Sequence, residues 1–130
     1  MITFKDILNE ITVSKPVPNN LQRLLALQKE IKTTKDKKRL SALAILCAEL
    51  VLPIWNHYYP NDGRVKQTID AAKEERYDDA AVYAAADAAD DADDDAAAAA
   101  AADAADAAYY AAADAAAYAI KATKLHFKIN

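Results

Sequence analysis

Residues 77 to 120 leave this chain few ways to fold. The stretch is almost entirely Ala and Asp with a few Tyr, and it holds eleven Asp and no Lys, Arg, Glu, Gly or Pro. Ala is the best helix former and nothing here is a strong breaker, so helix is the expectation throughout. At about 100° per residue, Asp79, Tyr83, Asp87, Asp90, Asp91 and Asp94 fall on one side of a cylinder. Ala81, Val82, Ala85, Ala86, Ala88, Ala89 and Ala92 fall on the other. A second stripe gathers Asp95, Asp103, Asp106, Tyr110, Asp114 and Tyr118, again with Ala opposite. Asp-to-Asp steps of eleven residues, three helical turns each, keep the stripes from drifting.

The two stripes fall out of line across Asp93 to Asp95. Asp is a preferred N-cap, and the helix dipole favours a carboxylate in the first turn by about 0.3–1 kcal/mol. The expectation is one helix from about 77 to 92 and a second from about 95 to 122. Their Ala faces allow close helix approach, but each Ala buries little area, so larger residues must be packed against them.

The N-terminal half supplies those residues. A first helix is expected from about Thr3 to Ile11, followed by an extended connection around Pro16 and Pro18. A second, capped by Asn19 or Asn20, should run through about Ile31 with Leu21, Leu24, Leu25 and Leu27 apolar. Thr33, Thr34 and Asp36 mark a new start. The helix from about Lys35 to Leu52 is apolar almost all round, which predicts a buried central helix. Pro53 should kink or end it. Pro60 to Gly63 reads as a turn into a short helix from about Arg64 to Glu75, and Lys73 to Arg76 as a hinge. Residues 125–130 read as a tail.

Composition sets the class. With 130 residues, one Gly and four Pro, the chain reads as a single all-α domain, a compact bundle of five to six helices: a Leu-rich basic half over 1–76 and an acidic helical hairpin over 77–124. Cys47 is the one cysteine, so there is no disulfide framework, and a reducing, cytoplasmic setting is expected. No secretory leader is read at the N-terminus, and Glu49 and Pro53 interrupt the best apolar run, so no membrane span is expected. The net charge of −4 conceals a division: residues 1–76 carry +4, residues 77–120 carry −11 and residues 121–130 carry +3. Either the acidic helices dock on the chain's own bases, or they face an outside partner.

Several chemistries can be weighed. The Asp stripes could imitate nucleic-acid phosphates in the basic cleft of a nucleic-acid-binding enzyme, a reading that asks for at least eight exposed, uncompensated Asp. They could equally be a solvated face. Asp90, Asp91, Asp93, Asp94 and Asp95 could attract a hard cation, but a helix points them apart and no Gly turn is present. Trp55, His57, Tyr58, Tyr59 and Arg64 either line an interface or close the end of the core. His57 has no ligand partner at close spacing, and His126 lies far along the chain. No nucleophile–base arrangement or phosphate loop occurs, so no enzyme and no cofactor are expected.

The segment from Cys47 to Arg64, then Ile69 to Ala72 and a long Ala-rich half, resembles the fifth family of immunity proteins of bacterial polymorphic-toxin systems, and small Ala-rich phage proteins of similar layout. Leu52, Pro53, Tyr59, Pro60, Asp62 and Arg64 carry the match. Gly63 and Val65 depart from it, and the Ala tract carries Asp where relatives more often carry Arg or His. The resemblance implies an all-α protein that neutralises a partner.

The sequence thus points to a protein that binds and inhibits another macromolecule, in an immunity or phage anti-defence role. Its target would be a protein, either a toxin or a basic nucleic-acid-binding enzyme, with no direct contact to nucleic acid or membrane. The expected partner contacts are Asp79, Tyr83, Asp87, Asp90, Asp91, Asp94, Asp103, Asp106, Tyr110 and Asp114, together with Trp55, His57, Tyr59 and Arg64. A structural or self-associating protein, a homodimer through exposed Ala faces, stands as the alternative.

Overall fold

Six helices form among the described residues: α1 (Asn20–Thr33), α2 (Lys37–Tyr58), α3 (Arg64–Lys73), α4 (Asp79–Asp91), α5 (Asp95–Ala108) and α6 (Ala112–Phe127). The computed structural model describes residues 19–75, 79–109 and 111–129, and the side chains of all of these except 79–82. The expected helix from Thr3 to Ile11, and Tyr110, lie outside the described residues.

Local chemistry explains the boundaries. Asp36 caps α2 by accepting from the Lys38 N–H at 3.0 Å, and Asp94 caps α5 by accepting from the Ala97 N–H at 2.9 Å. The break read at Asp93–Asp95 is therefore real. The expected second Ala-rich helix, however, is two helices. Tyr109 donates its N–H to the Ala105 and Asp106 carbonyls, both at 3.1 Å, and Ala111 donates to the Asp106 carbonyl at 2.9 Å, closing α5 before α6 begins. The acidic hairpin thus becomes a three-helix unit.

Pro53 does not end its helix, because α2 runs on to Tyr58. Proline removes the N–H that the Glu49 carbonyl would have received. One residue further on, the Asn20 side-chain amide donates to the Leu50 carbonyl at 3.2 Å, so α1 is tied to α2 beside that gap. By length and composition α2 is apolar enough to cross a membrane, contrary to the reading of Glu49 and Pro53 as interruptions. Most of its apolar stretch is buried inside the bundle, which accounts for that composition.

The centre is shared by two helices of opposite character. α2 packs on α1, α3, α5 and α6, and α5 packs on α2, α3, α4 and α6. Leu43, Leu46, Leu50, Ile54 and Trp55 of α2, with Leu24 of α1 and Ile69 of α3, are the large, fully buried side chains. α5 answers with Ala96, Ala97, Ala99, Ala100, Ala101, Ala104, Ala105, Ala107 and Ala108, all buried. A helix whose side chains stop at Cβ can be approached closely from several directions, and the larger residues opposite fill what the methyl groups leave open. The buried central helix expected in the Leu-rich half is α2, and the Ala-rich α5 shares the centre with it.

Candidate partner-binding surface

On α4 the face expected to look outward does so. Tyr83, Asp87, Asp90 and Asp91 are exposed, Ala85 and Ala88 opposite them are buried, and Ala86, Ala89 and Ala92 are half-buried. Tyr83 is 52% exposed, and it meets Tyr109, itself 50% exposed, edge to face with ring centroids 6.3 Å apart. Tyr109 follows α5 directly, so this pair joins α4 to the α5–α6 turn. The sequence reading names Tyr110, on the second stripe, and not Tyr109; the turn after Ala108 presents Tyr109, and two consecutive bulky residues in an Ala run are the available signal.

The second expected stripe does not survive the break in the helix. Its half-open line along α5 is Asp95, Ala98, Ala102 and Asp106, whereas Asp103 is fully buried. Asp114 is exposed, but on the next helix. Asp103 is therefore corrected from surface contact to core residue, because a step of eight residues from Asp95 turns it onto the packed face. The side chain of Asp79 is not described.

The aromatic turn is largely occupied with itself. Trp55 is 1% exposed and donates its indole N–H to the Asp62 carbonyl at 3.0 Å, with its ring 4.6 Å from that of Tyr59. It is a core residue, which corrects its place among the partner contacts. The Tyr59 hydroxyl accepts from the Asp93 N–H at 2.8 Å, tying the end of α2 to the α4–α5 junction. Arg64 grips both sides of the turn, with Nε at 3.0 and 3.1 Å from the two Asp62 carboxylate oxygens and Nη1 at 2.7 Å from Asp91 Oδ2. That geometry holds the Asp62 carboxyl below its ordinary value, through hydrogen bonds from Arg64.

His57 remains exposed, and the fold brings His126 to it across most of the chain. The two rings lie 5.2 Å apart, and the Tyr58 hydroxyl is hydrogen-bonded to His126 Nδ1 at 3.0 Å. Burial and the neighbouring His57 lower the His126 pKa. No spacing in the sequence announces this meeting, because it depends on where the end of α6 docks. Among the described residues no group of three or more His, Cys, Asp or Glu is arranged to hold a metal ion.

Among the described residues the charge division seen in the sequence is little cancelled by ion pairs. The described ion pairs are Arg39–Glu30, Arg64–Asp62, Arg64–Asp91, Lys66–Asp70 and Lys73–Glu49. Arg64–Asp91 alone among them joins the basic half to the acidic one. Asp87, Asp90, Asp93, Asp95 and Asp114 are exposed with no described ion pair. Among the described residues that number falls short of the eight that phosphate imitation asks for, with Asp78 and the Asp79 side chain outside the count.

What this arrangement presents is an all-helical scaffold with exposed tyrosines set among carboxylates. Residues 7–128 match the model of the family described as immunity protein Imm5, and the chain belongs to that family. No curated protein and no solved structure matches it.

Proposed function

We propose that this protein binds a protein toxin and neutralises it stoichiometrically, without chemistry of its own, through the outer face of α4 and the Tyr83–Tyr109 pair. The observation that carries the reading is that exposed aromatic pair beside carboxylates with which no described base of the chain forms an ion pair. Family membership supports the inhibitory role, and the surface supports a partner of basic character. Tyrosine supplies large contact area with little side-chain freedom to lose, and free carboxylates steer and orient a positively charged partner. Arg64, Asp91, Asp94, Tyr59 and His57 extend the surface towards the end of the bundle, where internal bonds hold it rigid.

The test is growth rescue. Toxin domains of polymorphic-toxin systems are expressed one at a time in a bacterial host, with and without this protein, and the rescued domain is titrated by calorimetry. Rescue with one-to-one binding is expected, and Tyr83→Ala together with Tyr109→Ala should weaken binding by at least about 30-fold. Rescue by no domain would sink the inhibitory reading. Rescue with unchanged affinity in the double variant would place the contact elsewhere.

A further inference from the structure

Asp103 takes no part in the recognition surface. It stands on α5 with 0% of its surface exposed, and among the described residues neither of its carboxylate oxygens has a hydrogen-bond partner. Asp106, one turn further on, has its Oδ2 buried and also without a partner.

The described titratable groups that act at this site are acids or weak acids. Cys47 on α2 is buried and close enough for Asp103 to act on its thiol, which burial itself pushes up. Asp106 acts on Asp103 from the same helix, and Asp114 of α6 acts on Asp106. From α3 and α4, as from α2 and α6, no described Lys, Arg or His forms an ion pair with Asp103.

A carboxylate shut away from bulk solvent, with no described donor or cation against it, is strongly disfavoured, and a group so placed gives up its charge. We propose that Asp103 is built into the core as a neutral carboxylic acid, so that one proton is a structural component of α5, and that losing it loosens α5 from α2. Burial, and then Asp106, push the Asp103 carboxyl well above the usual range. Burial, and then Asp114, bring Asp106 to about 6.

The sign follows from linkage. The folded-state value of Asp103 lies above its unfolded value of about 3.9, so its contribution to stability is complete below that pH and is lost as pH rises towards the folded value.

The experiment is a carbon-detected carboxyl titration of the full chain, paired with urea unfolding between pH 6 and 8.5. At pH 7 the Asp103 carboxyl carbon should keep the chemical shift of the protonated acid while Asp87 and Asp90 show that of carboxylates. The unfolding equilibrium constant should rise roughly tenfold per pH unit, the slope of one proton. Asp103→Asn, which keeps the shape of the neutral acid, should remove that slope and should keep Cys47 protected from a thiol reagent at a pH where the native chain has begun to react. An ionised Asp103 at pH 7, or the same slope in the Asn variant, overturns the proposal. If the variant does not fold, the carboxyl shift of the native chain decides alone. None of these readouts needs a toxin.

Discussion

Lys128 ends α6 in a left-handed conformation, with φ 55° and ψ 45°, and Ile129 donates back to the Lys124 carbonyl at 2.8 Å. That closure normally belongs to glycine, since a Cβ there crowds the following carbonyl at a cost of roughly 1–2 kcal/mol, partly offset because glycine has more freedom to lose on folding. Lys128→Gly is expected to stabilise the chain by about 0.5 kcal/mol, read as a later urea midpoint; an earlier midpoint would refute it. At this scale the sequence was legible where chemistry is local. Asp36 and Asp94 could be read as caps because a cap needs nothing beyond the next three residues. Asp103 could not be placed, because helical phase carried from Asp95 to Tyr118 assumed one continuous helix. The meeting of His57 with His126 was invisible for a different reason: nothing local encodes where α6 docks.

Among elements, α5 depends most on its first turn. Asp94 holds that turn by accepting from the Ala97 N–H, and its carboxylate sits where the helix dipole favours negative charge. Asp94→Ala should cost about 0.5–2 kcal/mol. Because α5 packs on four other helices, the loss should appear as one cooperative shift of thermal unfolding and not as local fraying. A separate early transition would argue against α5 as part of the common core. The α5–α6 break escaped sequence reading for a physical reason. It holds no Gly or Pro, and Ala111, at the start of α6, makes no side-chain cap. The described backbone bonds of Tyr109 and Ala111 that turn it run to carbonyls at the end of α5, Ala105 and Asp106 among them. The Leu-rich half announced its helices better, since large residues at three- and four-residue spacing show which face is inside.

At the scale of the whole molecule, the uneven distribution of charge survives folding among the described residues. With Arg64–Asp91 as the one described ion pair between the halves, the exposed carboxylates repel one another more than they are compensated. Screening should therefore help: raising sodium chloride from about 10 to 300 mM shrinks the Debye length from roughly 30 Å to under 8 Å, and the melting temperature should rise. A fall would show that internal attraction outweighs the repulsion. The alanine composition of α5 has a last consequence, for motion. Side chains without rotamers cannot repack, so α5 has no small adjustments of its own, and those of the shared centre fall to the larger residues of α2. Where α5 meets another Ala-rich helix, accommodation slides or tilts whole helices against one another. A residue larger than Ala on that side of α5 displaces a helix, where on the α2 side it would turn a neighbour.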